Sequence, residues 1–288
     1  MVLSGLQDQL APLKSWLFPR RVYLQLEDQA FTAMVLDADR VAWLERVPLP
    51  EGLCVNGQPT AVEALGDLLG DLLVERGFPG ARVKAVLPRS ATAWQVIEWP
   101  DAVWPDEPEL VVRQWQDALA LPWPLQHADV WFSHLSGAPA RSLMVAVQRD
   151  VLEAWIEVCA QAGVALDGIE AEPMCLWRAV QPQLLPCCGL QLLLQLRADQ
   201  SWLLAIEQGQ PLGEWPLPPA DETDQLEAAL ALWRQRYTPR ACIVLGADLG
   251  RDQQLLSQMP AWLSCPLRLF AHSDGEPSLW GLAAAEQR

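Results

Sequence analysis

Lysine is nearly absent from this chain of 288 residues: Lys14 and Lys84 are its only two, and histidine stops at three. Acidic residues outnumber Lys and Arg by 36 to 20, a formal charge of −16. A protein that grips nucleic acid must neutralise phosphates with a basic surface, so this balance excludes that partner class. Long apolar runs are missing too. Residues 190–206, the most apolar window, are broken by Gln191, Gln195, Arg197, Asp199 and Gln200, short of the roughly 18 uninterrupted apolar residues of a membrane span. Near the N-terminus, Gln7, Asp8 and Gln9 interrupt the stretch where a secretory leader needs a continuous apolar core. The seven cysteines, Cys54, Cys159, Cys175, Cys187, Cys188, Cys242 and Cys265, include no C-x-x-C pair. Such an odd, scattered set reads as reduced core thiols, and the adjacent Cys187 and Cys188 fall far short of a metal-ligand set. The expectation is a cytoplasmic protein, neither secreted nor integral to a membrane.

What the chain does have is an internal echo. Leu24-Gln25-Leu26 runs through Asp28-Gln29 to Val47-Pro48-Leu49-Pro50, and Leu194-Gln195-Leu196 runs through Asp199-Gln200 to Trp215-Pro216-Leu217-Pro218. Each copy reads as strand, turn, strand, strand. A unit used near the start of each half predicts two similar lobes facing each other across a cleft, the plan of the actin-like ATPase fold. Half of the composition is hydrophobic, ample for two packed cores.

Residues 22–27, 31–37 and 41–47 are predicted strands, and 62–76 a helix with Leu65, Leu68, Leu69, Leu72 and Leu73 at helical spacing, stopped by Gly77. A buried strand follows at 83–87. Between them and the second half lies a Trp- and Pro-rich stretch. It reads as strand 92–98, helix 107–119, strands 128–134 and 142–147, and helix 150–162. A strand at 164–170 and a helix near 173–180 precede a proline-rich linker. The second half repeats the plan: strands across 190–216, a helix at 222–237, a strand at 241–245, a helix at 252–259, a strand at 266–270 and a last helix at 278–285. Element order makes this an α/β protein.

The ordered segments Ala85-Val86-Leu87-Pro88-Arg89-Ser90, Leu143 through Asp150, Ala162 through Glu170 and Leu279-Trp280-Gly281-Leu282-Ala283 resemble the PilM family of type IV pilus assembly proteins. That family is related to the cell-division protein FtsA and to the cytoplasmic part of GspL. The resemblance spans residues 20–288. It implies a two-lobed actin-like ATPase fold, with ribonuclease H-like lobes and a small α/β subdomain inserted in the first. The division would be an N-terminal segment 1–21, a first lobe 22–88 with 164–180, an insert 89–163, a linker 181–189 and a second lobe 190–288. It further implies a cytoplasmic adaptor, peripheral at the inner membrane in the pilus assembly platform. Its partner would be the short cytoplasmic N-terminal tail of a PilN-like single-pass membrane protein.

ATP-binding relatives carry Asp, an apolar residue and Gly at each phosphate turn, so that amides approach the phosphates and the carboxylate organises the metal. Here those positions read Gln25-Leu26-Glu27 and Gln195-Leu196-Arg197, and the adenosine-side turn keeps only Gly246. Glu27 would add a charge that repels phosphate. The expectation is a non-enzymatic pseudo-ATPase with no cofactor. The alternatives are an ATPase that holds ATP and Mg through rearranged contacts, and a GspL-like secretion component, disfavoured because that family continues into a membrane span while this sequence stops at Arg288.

Other constellations have simpler readings. His127, His134 and His272 lack a nucleophile at motif spacing. Asp101, Asp106, Glu107 and Glu109 fit a helix N-terminus capped by Asp106, and Gly209 and Gly213 fit a hairpin turn. The tryptophans of the insert suit either packing or partner binding. Leu6, Leu10, Leu13 and Leu17, with Lys14, Arg20 and Arg21 nearby, make the N-terminal tip the candidate membrane contact.

Overall fold

The computed structural model describes residues 20–38, 40–99, 103–114, 119, 121–135, 141–185, 189–246, 252–270 and 276–285. The candidate membrane-touching leucines and Lys14, Trp115, the Cys187–Cys188 pair, Asp101 and His272 lie outside them.

The chain opens with three antiparallel strands, β1 (Arg21–Leu26), β2 (Ala30–Asp37) and β3 (Arg40–Pro48). A two-residue-strand hairpin, β4 (Cys54–Val55) and β5 (Gln58–Pro59), then leads into α1 (Val62–Glu75) and β6 (Arg82–Leu87). Next come β7 (Thr92–Glu98), α2 (Pro108–Gln114), β8 (Ala128–Leu135), β9 (Arg141–Gln148) and α3 (Arg149–Gln161). The chain returns through β10 (Ala165–Ala171) and α4 (Glu172–Val180). The second half contains β11 (Leu190–Gln195), β12 (Ser201–Glu207), β13 (Gln210–Leu217), α5 (Thr223–Arg234), β14 (Ala241–Leu245), α6 (Gln253–Leu263), β15 (Leu267–Leu269) and α7 (Pro277–Ala284).

Two five-stranded sheets share one strand order, β3-β2-β1-β6-β10 and β13-β12-β11-β14-β15. In each, an antiparallel meander is extended by two parallel strands. Gln25 and Gln195 are equivalent in this scheme: each ends the parallel ladder of its central strand, opposite Val86 and Leu245. Central strands covered on both faces must be apolar throughout, and β1 and β11 are buried nearly end to end. The edge strand β3 alternates between exposed and half-buried positions instead. A third sheet, β7-β9-β8, builds the insert around Ile97, Trp99, Val112, Leu125 and Met144. Its Trp99 indole donates to Ser142 Oγ and meets Trp104 edge-on, so these two tryptophans pack.

Helices α1 and α3 cover the outer face of the first sheet, and α5 and α6 that of the second. Helix α4 lies between the sheets. Its Cys175 joins Tyr23, Met34 and Val86 of the first, together with Leu279 and Leu282 of α7, while its Leu176 and Val180 join Leu193, Leu204 and Ile243 of the second. No helix of the described residues is long and apolar enough to cross a membrane.

The glycine stop of α1 is as expected. Gly77 takes φ +80°, which L side chains resist, and Phe78 N–H donates back to Leu73 and Gly77 N–H to Val74, closing a Schellman motif. Three expectations need correction. Helix α2 begins at Pro108, and Leu110 and Val111 donate to the Glu107 carbonyl, so Glu107 rather than Asp106 stands at the cap. Helix α6 does not stop at Met259: it carries Pro260 inside it and runs to Leu263. Burial of Met259, Trp262 and Leu263 outweighs the hydrogen bond that proline forfeits. Finally, Gln208 and Gly209 form the β12–β13 turn, whereas Gly213 lies within β13 against the Trp215 ring.

Candidate functional site

The two repeated turns, β1–β2 and β11–β12, open onto one cavity of about 670 Å³ between the sheets. Strand ends place Gln25, Glu27 and Arg197 on its wall, as the repeat predicts, whereas Gln195 is buried behind it and meets the site through Arg89 and Glu172. The structure adds residues that the sequence did not single out: Arg46 from β3, Arg89 just after β6, Glu172 at the start of α4, and Trp202 from β12.

Their side chains are committed to one another. Gln25 is buried; its Oε1 accepts from Ser278 Oγ of α7 and its Nε2 donates to Glu27 at 3.4 Å. Glu27 takes Arg46 at 2.7 Å and, across the cavity, Arg197 at 3.5 Å. Gln195 accepts from Arg89 at 2.6 Å and donates to Glu172 at 2.9 Å. Arg89 also pairs with Glu172 at 2.9 Å and with Glu214 of β13 at 2.6 Å, and its guanidinium lies 5.1 Å from the Trp202 ring centroid. Trp94 of the insert donates its indole N–H to Glu214 at 3.0 Å.

One backbone donor at each turn is similarly engaged. Glu27 N–H donates to the Ala30 carbonyl at 3.0 Å and Arg197 N–H to Ser201 Oγ at 3.3 Å. Asp28 accepts from the amides of Asn56 and Gly57 at 2.8 and 2.6 Å, which ties the first turn to the β4–β5 hairpin. Gly246, at φ +72°, ends β14 against the second turn; a Cβ there would sit 2.5 Å from the Leu196 carbonyl oxygen. It lets two backbones approach, and Ala247-Asp248 beyond it lie outside the described residues.

The electrostatics follow from burial. Burial opposes the charge on Arg197, yet the carboxylates of Glu172, Asp199 and Glu27 hold its pKa above the ordinary value. Burial pushes the Glu214 carboxyl up against the pull of Arg89 and the Trp94 hydrogen bond. At the mouth of α7, Glu276 is pushed up to about 7 by burial and then by Glu27 and Glu172, with Arg197 and Arg46 opposing. The repulsion expected from Glu27 alone is thus offset by two guanidinium groups. The obstacle at the first turn is geometric: an incoming phosphate meets no glycine and must displace existing pairs, and Gln25 and Gln195 offer amides where a hydrated metal needs carboxylates. A phosphate placed between the turns would compete with the pairs Gln25–Glu27 and Glu27–Arg197.

The described cysteines and histidines do not line this cavity. Cys54, Cys159, Cys175, Cys242 and Cys265 are buried thiols, with Cys54 and Cys159 pushed up to about 12 by desolvation. His134 lies tilted against Trp104 with ring centroids 3.6 Å apart, and His127 is exposed. In sequence, Arg89 and Glu172 had only one signal, a charge set just past the end of a strand. Their partners lie far along the chain, 125 residues away for Arg89 and Glu214.

No family model and no curated protein matches the sequence. Solved structures do match. The type IV pilus biogenesis complex PilM–PilN superposes with a TM-score of 0.72 at 17% identity, over 93% of this chain and 98% of the other. A protein of unknown function with an actin-like ATPase fold from Bacteroides thetaiotaomicron gives 0.59 at 11%, over 93% and 96%. The cytoplasmic domain of EpsL, an inner membrane component of the type II secretion system of Vibrio cholerae, gives 0.55 at 14%, over 93% and 95%. At such identities the likeness is one of fold, so the repeated sheets and the cleft between them identify this chain as a protein of the two-lobed actin-like ATPase fold, built on the same plan as the chain in the PilM–PilN complex.

Proposed function

We propose that the chain is a non-catalytic adaptor of a type IV pilus or related inner-membrane assembly platform. The observation that carries this reading is that its own side chains occupy the hydrogen-bonding positions at both phosphate turns, from Gln25 and Glu27 to Gln195 and Arg197. Likeness to a structure solved as a PilM–PilN complex, and to a secretion-system domain, supports the platform assignment. The ligand is then the short cytoplasmic N-terminal tail of a PilN-like single-pass membrane protein, held in a groove of the first lobe, with the protein peripheral at the inner membrane.

Titration calorimetry with Mg-ATP is expected to show no binding at micromolar concentrations; a micromolar Kd in the unmodified protein overturns the pseudo-ATPase reading. The combined substitution Gln25→Asp, Glu27→Gly, Gln195→Asp and Arg197→Gly restores the metal and phosphate groups and is expected to raise nucleotide affinity at least tenfold, about 1.4 kcal/mol. The one feature that favours an ATPase is the 670 Å³ still open beside Arg46 and Arg197, and the same titration decides it.

For the partner, a net charge of −16 favours a tail bearing basic residues. Added salt is expected to slow association more than it speeds dissociation, because long-range steering acts on the encounter. A pull-down from membranes with folded bait that recovers no single-pass pilus or secretion protein counts against the adaptor reading.

A further inference from the structure

We propose that Arg89 is a built-in bridge between the two lobes, holding closed the cleft between the two sheets. The proposal concerns the cleft itself and does not depend on which partner the adaptor captures.

Arg89 belongs to the first half, directly after β6, yet most of its partners belong to the second. Its Nε lies 2.6 Å from Glu214 on β13 and its Nη1 2.6 Å from Gln195 Oε1 at the end of β11, while its guanidinium carbon lies 5.1 Å from the Trp202 ring centroid on β12. The same Nη1 reaches back 2.9 Å to Glu172, at the head of the helix packed between the sheets. One planar fork therefore touches three strands of one sheet and the helix shared by both. Only arginine has the fixed, five-donor geometry for this.

The surroundings support a bridge over a surface ion pair. The side chains of Arg89, Glu172 and Glu214 are 11%, 5% and 9% exposed, so water screens them little. Glu172 is further fixed by the Gln195 amide, and Glu214 by the Trp94 indole, so both carboxylates are held in place for the guanidinium. Without Arg89, two like charges would face each other across the cleft. A second, weaker strap runs from Arg197 to Glu27, where Arg197 is 33% exposed. Lobe closure in two-lobed proteins commonly follows ligand binding; here the closing contacts are encoded in the chain.

Hydrogen–deuterium exchange of the whole protein tests this. In Arg89→Met, peptides covering residues 25–30 and 195–202 are expected to exchange at least tenfold faster, with the central ladder of 241–245 unchanged. The triple variant Arg89→Met, Glu172→Gln, Glu214→Gln leaves no unpaired buried charge and separates bridging from charge burial: faster exchange at the cleft is expected there too, because the bridge is gone. Where Arg89→Met does not fold, Arg89→Lys, which keeps the charge and loses the fork, is expected to speed exchange at the same peptides severalfold. Wild-type protection at the cleft in the folded triple variant or in Arg89→Lys overturns the proposal.

Discussion

Gly281→Ala is expected to lower the melting temperature by about 10 °C, or to prevent folding. Helix α7 crosses α4 so closely that a Cβ at Gly281 would fall inside the van der Waals shell of the Cys175 carbonyl oxygen, an atom of helix backbone that cannot rotate away. Relief requires the helices to separate, and α4 is held between the two sheets while α7 packs on the first. Leu279 and Leu282 beside the contact are fully buried, so separation would open voids around them. Overpacking of a core costs typically 1–3 kcal/mol and occasionally more, and a clash with backbone belongs at the upper end, ~3 kcal/mol or above. For a chain of this size each kcal/mol shifts the midpoint by roughly 2–4 °C. Gly168→Ala is the control, since a Cβ there meets nothing within 4 Å. Equal midpoints for the two variants in thermal unfolding would refute the close-packing argument.

The second large effect is on pH dependence. In the folded protein, burial and the charges of Glu27 and Glu172 push Glu276 up to about 7 from an ordinary 4.5. A carboxyl whose folded pKa is raised contributes stability that is complete below the unfolded value and is lost as pH rises through the folded one. Glu276 should therefore destabilise the protein progressively between pH 4.5 and 7. Each pH unit between those values is worth ~1.4 kcal/mol, which sets a ceiling of about 3 kcal/mol; partial exposure of the side chain lowers it. Glu276→Gln keeps the shape and removes the titration. It should raise the melting temperature at pH 8 and leave it unchanged at pH 4, flattening the profile between. Glu214, also raised by burial, leaves a residual slope of the same sign. A variant whose midpoint falls with pH as steeply as that of the parent would show that Glu276 carries none of the effect.

Local structure was readable wherever one short segment contained its own signal. Alternation in residues 40–48, the leucine spacing and glycine stop of α1, and the apolar runs at the two central strands each encode an element within about ten residues. One such signal was overlooked. Asn56-Gly57 between short β segments is a strong hairpin pair, and in the structure it forms the β4–β5 turn whose amides hold Asp28. Pro260 works in the opposite direction: a proline forfeits a helix hydrogen bond, yet the burial of Trp262 and Leu263 carries α6 past it.

The cleft divides along the same line. That neither turn has Asp at its first named position or Gly at its third is a property of the sequence alone, since it depends only on which residue types stand at Gln25, Glu27, Gln195 and Arg197. So do the repeated openings, the acidic surface and the absence of a long apolar run. What these side chains pair with was decided by tertiary structure. Arg89 meets Glu214 and Gln195, Glu27 meets Arg197, and Ser278 meets Gln25 across separations of 106 to 253 residues. No periodicity encodes such pairs. Each side chain is an ordinary charge or amide in its own segment, and its role appears only when two sheets and the helices between them exclude water around it. Removal of water makes an unpaired charge costly and a paired one directional, and that is a property of the folded cleft.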